Sequence, residues 1–371
     1  MKKIILVIVL FFVFLKPSFA QENPQPQAPK QKFFQAKVVE VVEQKELSAN
    51  GIKNYLQVLR IKILDGKEKG KFTIIQNGND MQITKDQLVS KNQNIVISKT
   101  TYLNNKVVYS IYDFYRLNSL IIFVILFFLL VVFIAGLKGI GSILGMIISF
   151  GVIIGYIIPS ILHGQDPLTV TVIGSVFILF VTTYLAHGIS QKTTIALMST
   201  LISLFIAVGF AIAAIKYNNI TGLGNEDIFA LQMGATNIIN FKGLFLSGVI
   251  ISTLGALNDI TTTQSATIWE LKKTNPKLKF VNLFEGGINV GREHIASLVN
   301  TLILAYVGSA LAIFIFLVLN PNKLPYWVIL NNEIISDEII RIITGSAGLL
   351  LSVPIVTFIA SYFFSGKKIS G

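Results

Sequence analysis

Long apolar runs occupy most of the chain after residue 117. Each run has about 20 residues and few charges, which is what a helix needs to cross a hydrocarbon core about 30 Å thick. The pattern predicts a polytopic α-helical membrane protein with about seven spans. The predicted spans are residues 118–136, 140–162, 167–186, 194–215, 243–265, 295–318 and 337–363.

The region before these runs has a different pattern. Between residues 33 and 116, short stretches alternate apolar and polar residues or are rich in β-branched residues. Asn50-Gly51 is a hairpin signal between two of these stretches. The region therefore predicts a small all-β domain of about five strands, either a sandwich or a small barrel similar to an OB-fold. Its basic residues are scattered, which favours a solvated surface over a binding patch.

The start of the chain has the form of a secretory signal. Two lysines precede an apolar core at residues 4–15, and Ser18-Phe19-Ala20 is similar to a cleavage site. An uncleaved anchor is the alternative interpretation of residues 1–20. Residues 21–32 are a linker rich in Pro and Gln. In either case we expect the β domain to be exported.

The charges between the apolar runs indicate an orientation. If the β domain is outside, the loops at Lys138 and Lys192, the segment 272–292 and the end of the chain face the cytoplasm. These segments hold nine basic residues, against about four in the opposite loops. This asymmetry obeys the positive-inside rule. It predicts a seven-helix membrane domain over residues 117–365 and a cytoplasmic tail at 366–371.

Composition narrows the chemistry. The chain is 53% apolar and only 13% charged, whereas soluble proteins carry roughly a quarter charged residues. The net charge of +12 does not indicate a nucleic-acid partner, because 18 of the 31 basic residues precede Leu117 and most others lie in loops. The absence of Cys excludes thiol catalysis, disulfides and thiolate metal sites. With three His and no catalytic motif, we expect no metal, no cofactor and no enzymatic activity.

One polar segment follows an apolar run at residues 244–257. If the helix enters the membrane near residue 241, Asp259 lies near the inner interface. If Trp269 and the lysines after it mark that interface, Asp259 lies about 15 Å deep along the axis. A long tilted helix over residues 243–271 accommodates both. A carboxylate inside the membrane is costly and is therefore a functional candidate.

Two other segments offer polar partners to Asp259. One lies at the end of the third predicted span and the other at the start of the sixth. Arg292 is either an ion-pair partner of Asp259 or an ordinary positive-inside residue, and the histidines and Asn300 are alternatively interface or interhelical hydrogen-bonding groups. The predicted polar centre comprises Asn258, Asp259, Thr262, Thr263, Arg292, Glu293, His294, Asn300, Thr182, Thr183 and His187.

Three segments carry a family resemblance. "TTYLAHGISQKT", "GALNDITTTQSATIWEL" and "GREHIASLVNTLILAYVGSAL" follow the signal-like start and the β domain. Together they resemble the YibE/F-like family of bacterial multispanning membrane proteins. The resemblance implies a bacterial origin and a location in the cytoplasmic membrane, and it implies no activity.

Two functions remain open. The first is a transporter or channel for an ion or small solute, with its polar centre on spans 3, 5 and 6. The second is a non-transporting scaffold or assembly factor whose exported β domain binds a protein partner. Both place the chain in a lipid bilayer, and neither requires a cofactor.

Overall fold

The computed structural model describes residues 30–49, 52–79, 82–102, 106–224, 228, 231, 239–320 and 323–366. The predicted signal peptide, most of the linker, the Asn50-Gly51 turn and residues 367–371 lie outside the described residues. The chain divides into two compact units between Leu130 and Val131. Each unit has its own hydrophobic core.

The N-terminal unit contains one antiparallel sheet, so the prediction of a small β domain is confirmed. In its described part the strand order is β3-β2-β1-β4-β5. The outer strands β3 and β5 also lie close together. The choice between a sandwich and a small barrel similar to an OB-fold stays a prediction. The strands are β1 (Lys30–Ala49), β2 (Ile52–Ile63), β3 (Phe72–Asn77), β4 (Asn94–Thr101) and β5 (Val107–Phe114).

The first strand explains how the sheet curves. It is 20 residues long, and it pairs with β4 through its first part and with β2 through its second. Its register with β2 shifts between Val38 and Glu40 and again between Val41 and Glu43. Such irregularities increase the local bend and twist of a strand. Alternate side chains of β1, including Val38, point into the hydrophobic core of this unit.

An ion pair and a hydrogen bond join the turn before β3 to strands β4 and β5. Glu68, in a short 3₁₀ turn before β3, accepts hydrogen bonds from the Lys99 ammonium and from the Tyr109 hydroxyl (2.6 Å for the latter). These contacts, with that to Lys99 the largest, hold the pKa of Glu68 below its usual value. Charge-assisted bonds favour the ionised carboxylate.

The C-terminal unit consists of helices, and residues 117–130 of the first helix belong to the N-terminal unit. The helices are α1 (Leu117–Val152), which continues through a π-helical turn (Ile153–Ile157) into α2 (Ile158–Leu162), α3 (Pro167–His187), α4 (Gln191–Tyr217), α5 (Phe241–Thr274), α6 (Phe280–Ser309), α7 (Leu311–Leu319), α8 (Tyr326–Leu330) and α9 (Glu333–Ser365). Side-chain caps begin several of them. Asp166, Ser190, Asn240 and Asn332 each accept a bond from a main-chain N–H in the first turn of α3, α4, α5 and α9.

Five helical runs of the described chain are long and apolar enough to cross a membrane: Leu117–Leu162, α3, α4, α5 and α9. The pair α6 and α7 makes a sixth if it is counted as one span, but it is bent by 71°. The sixth predicted span is therefore broken near Ala310. The count of seven spans stays a prediction.

A sharp turn divides α1. Gly136 has φ 59° and ψ −139°, a backbone conformation that is not helical and that favours glycine. A Cβ placed on Gly139 would lie 2.8 Å from the carbonyl oxygen of Val131. Residues eight positions apart lie about 12 Å apart in an unbroken helix. The turn falls at the boundary between the first two predicted spans.

Helices α4, α5 and α9 pack against one another, while α3 packs on α5 and α6 packs on α5 and α9. The core between them contains Leu204, Leu257 and Val353, which are almost fully buried. The central helix α5 runs unbroken for 34 residues, or about 51 Å. The prediction of one long helix over residues 243–271 is confirmed.

Candidate functional site

A hydrogen bond joins α3 and α5 near the middle of α5. The Thr183 hydroxyl donates to Asn258 Oδ1 over 2.7 Å, and Thr183 is fully buried. The neighbouring Thr182 instead donates to the carbonyl of Ile178 in its own helix. A buried hydroxyl with an amide partner is satisfied, so this pair fixes the rotation of α5 against α3.

Asp259 lines a cavity of about 520 Å³ between α1, α3 and α5. The same wall contains Asn258, Thr182 and His187. Asp259 is exposed rather than packed in the core. The carboxylate and the imidazole are therefore two ionisable groups on one cavity, at the level where α3 and α5 are hydrogen-bonded.

Two further cavities share His187 in their walls. One, of about 540 Å³, follows α5 past Thr262, Thr263 and Glu270. The other, of about 160 Å³, lies between α1, α3, α4 and α5. We call the three together the α5 cavities. From Asp259 to Glu270 they follow α5 for about 16 Å.

The predicted residues of α6 lie elsewhere. Arg292, Glu293 and Asn300 are exposed. His294 is half-buried, and its Nδ1 has no hydrogen-bond partner among the described residues. None of the four lines the α5 cavities. Within the described ranges, no hydrogen bond or ion pair joins Asp259 to this segment. The contact between Asp259 and Arg292 stays a prediction, and the hydrogen bonds and ion pairs of the described residues do not support it.

The family model for YibE/F-like proteins matches residues 123–366, which is well over half of the chain. The chain belongs to the YibE/F-like family. The match contains every residue of the predicted polar centre, and it begins after the last β strand. No curated protein and no solved structure matches the chain. Family membership and the long apolar helices together support a multispanning membrane protein.

The opposite face of α5 holds a second polar junction in this YibE/F-like chain. Gln264 is fully buried, and its Nε2 donates to the Gly287 carbonyl (2.6 Å) and to the Thr357 hydroxyl (2.9 Å). It therefore joins α5 to α6 and α9. The run of Thr, Gln and Ser after Asp259 predicts that polar partners are needed, but not which residue meets which helix.

Lys272 is a further polar group whose role the sequence does not reveal. The positive-inside pattern makes it an interface marker, yet it is only 3% exposed. Its ammonium donates to the carbonyls of Pro276 (2.8 Å), Leu278 (2.9 Å) and Ser365 (3.3 Å). Lys272 thus fastens the end of α5 to the following loop and to the end of α9.

At the other end of the YibE/F-like bundle, Asp166 joins α3 to α5. Its carboxylate accepts bonds from the Thr169 N–H (3.0 Å) and from Asn240 Nδ2 (3.3 Å). The bond from the Thr169 N–H is the main favourable cause that holds the pKa of Asp166 below its usual value. The two ends of α5 are thus fastened by different groups, with the α5 cavities between them.

Among the described residues, no three His, Asp or Glu side chains are placed to hold a metal ion. The ionisable groups of the α5 cavities are Asp259, His187, Glu270, Lys138 and Lys192. They are interleaved with threonine hydroxyls and one amide. Such a set can bind ions, exchange protons and hydrogen-bond a small polar solute.

Proposed function

We propose that this YibE/F-like protein is a membrane transporter or channel that moves an ion or small solute along the α5 cavities. The observation that carries the proposal is that Asp259 and His187 line one cavity of about 520 Å³ among helices apolar enough to span a membrane. Polar and ionisable groups at such positions are costly and usually mark a pathway for ions or solutes.

The chemistry of the wall favours a cation or a proton at Asp259. Asn258 and Thr182 line the same cavity as Asp259, and their side chains carry neutral oxygen atoms. Oxygen ligands suit hard cations. Imidazole side chains such as that of His187 serve as proton-exchanging groups in many proteins. Asp259 is proposed to bind the transported or coupling cation, and His187 to exchange protons beside it.

The proposed orientation places the β domain outside the cytoplasmic membrane and the C-terminus inside. It is supported by the excess of basic residues in the loops on the proposed inner side. A reporter enzyme fused after Gly371 should be active only in the cytoplasm. Activity of that fusion only outside the cell would reject this topology.

Flux into proteoliposomes tests the transport function. The purified full-length protein is reconstituted, and uptake is measured across a panel of cations, anions and small polar solutes with and without a pH gradient. Asp259→Asn keeps the shape and removes the charge, so it should slow uptake at least about tenfold, the equivalent of ~1.4 kcal/mol on the barrier. Asp113→Asn is the matched control, because Asp113 lies exposed on β5. Absence of any protein-dependent flux, or equal flux in the two variants, would contradict the proposal.

The scaffold remains the second candidate because of one feature of the β domain. Phe72 and Ile74 are exposed on β3, and the Arg60 and Lys62 side chains lie over the Phe72 ring at 5.5 and 5.6 Å. Exposed apolar groups with a charged rim are typical of protein interaction sites. If the protein is a scaffold, Phe72→Ser with Ile74→Ser should abolish cross-linking to one defined partner in cells. Under this alternative the flux assay gives no signal.

A further inference from the structure

The smallest of the α5 cavities has a different character from the other two. Its walls come from the second half of α1, the last residue of α3, the first turn of α4 and the middle of α5. Lys138, His187 and Lys192 line it, together with Thr193 and Thr262. No carboxylate among the described residues lines it. The cavity is therefore positively charged, unlike the neighbouring cavities that hold Asp259 and Glu270.

The two ammonium groups lack a charge-balancing partner in the part of the chain that the structure describes. Neither Lys138 nor Lys192 makes a side-chain hydrogen bond or ion pair with any residue that the structure describes. Lys138 is exposed and Lys192 is half-exposed. Both like charges border one small cavity, and an anion bound there would offset their mutual repulsion. The first turn of α4 adds to the attraction for an anion, because helix N-termini carry partial positive charge.

The size and chemistry of the cavity select the kind of anion. Its volume of about 160 Å³ corresponds to on the order of five water molecules, which is room for a phosphate group and not for a whole nucleotide. Lysine binds phosphate as a point charge. We propose that the cavity lined by Lys138, His187 and Lys192 binds a phosphate group, supplied by an anionic phospholipid headgroup or by free phosphate.

The proposed orientation makes both sources available. It puts Lys138 and Lys192 at the cytoplasmic surface of the membrane. Basic pockets between helices on that side bind lipid headgroups, and the cytoplasmic leaflet is negatively charged. The phosphate site itself does not depend on transport, since it rests on the charges and the size of the cavity.

Direct binding measurements test the proposal. Radiolabelled phosphatidic acid, phosphatidylcholine and inorganic phosphate are each titrated against the purified full-length protein in detergent. Lys138→Gln with Lys192→Gln should weaken phosphate-group binding about a hundredfold, or about tenfold per charge-assisted contact removed. Lys138→Arg with Lys192→Arg keeps the charges and should keep binding.

A matched control removes the same charge elsewhere. Lys216 and Lys242 are exposed, and the α4 positions 192 and 216 are about 36 Å apart. Charges at that distance are screened at physiological salt, so Lys216→Gln with Lys242→Gln should change affinity by less than about twofold. Saturable binding of phosphatidic acid alone identifies a lipid headgroup, and binding of inorganic phosphate as well shows that the phosphate group suffices.

Three results would overturn the proposal. The first is that neither phosphatidic acid nor inorganic phosphate binds saturably to the unmodified protein. This result does not depend on whether any variant folds. The second is equal affinity for phosphatidic acid and the zwitterionic lipid. The third is binding that survives the paired glutamine substitutions.

Discussion

The substitution Lys272→Met should lower the free energy of unfolding, by an amount that can be estimated from the three hydrogen bonds of Lys272. The substitution keeps an unbranched side chain that is one atom shorter, and it removes the three N–H donors. A buried polar group left unsatisfied costs about 1–3 kcal/mol. The three carbonyls that Lys272 meets lie in the loop after α5 and at the end of α9, where water can replace part of each bond, so the low end of that range applies.

The substitution also removes one unfavourable contribution to the stability of the folded state. Removing the ammonium ends the cost of keeping a charge that is only 3% exposed. Three carbonyls at the low end total about 3 kcal/mol, so after part of that cost is subtracted the net loss is about 2–3 kcal/mol in the free energy of unfolding. At 1.4 kcal/mol per factor of ten, the unfolded fraction rises at least about thirtyfold.

The assay is unfolding of the full-length protein by SDS in mixed micelles, followed by circular dichroism. Lys273→Met is the control, because Lys273 is the next residue in the sequence and is exposed. Its substitution should change the free energy of unfolding by less than about 0.5 kcal/mol. Equal stability of the two variants would refute the argument that Lys272 joins the ends of α5 and α9.

Three further outcomes follow from the contacts. Thr183→Val and Asn258→Ala should each destabilise the bundle, with a coupling free energy of about 0.5–1.5 kcal/mol between them in a double-mutant cycle; a coupling of zero would show that the bond is absent. The pKa of Glu68 is lower in the folded state than in the unfolded state, so its contribution to stability is present above the unfolded-state pKa and is lost as the pH falls through the folded-state pKa. Melting curves of Glu68→Gln should lose this dependence on acid pH. An unchanged pH profile in that variant would show that the Glu68 carboxylate does not cause it. Asp259→Asn and Arg292→Gln should have additive effects on stability within about 0.5 kcal/mol, whereas a larger coupling would place Arg292 beside Asp259.

Periodicity accounts for what could be predicted. The alternation along residues 33–116 indicates which side chains enter the β core, and the interface markers after Asp259 indicate a helix that continues well beyond it. Both features depend on neighbours in the sequence, and both are found in the structure. The closeness of β3 and β5 could not be predicted, because it depends on strands that are distant in the sequence.

The site was only partly predictable for a related reason. A helical pattern shows which residues share a face, but it does not show which helix covers that face. Gln264 follows Asp259 by five residues, which is about 140° around the axis. The two therefore meet different neighbours, and α6 reaches α5 on the Gln264 side. The prediction that Asp259 and Arg292 are in one site assumes that α6 packs on the face of α5 that carries Asp259. Sequence spacing alone cannot show which face α6 covers.

The hydroxyls of α5 affect its stiffness as a rod. A helix resists bending because each carbonyl is held by one N–H four residues later. In α5 the hydroxyls of Thr253, Thr261, Thr262 and Thr267 also donate to carbonyls one turn back, over 2.8–2.9 Å. A second donor on the same oxygen loosens the hold of the first and lets the helix curve. The segment of α5 beside the cavities is thus its more flexible part, while its two ends are held by Asn240 and Lys272. The curvature of this segment can change without loss of the contacts at either end.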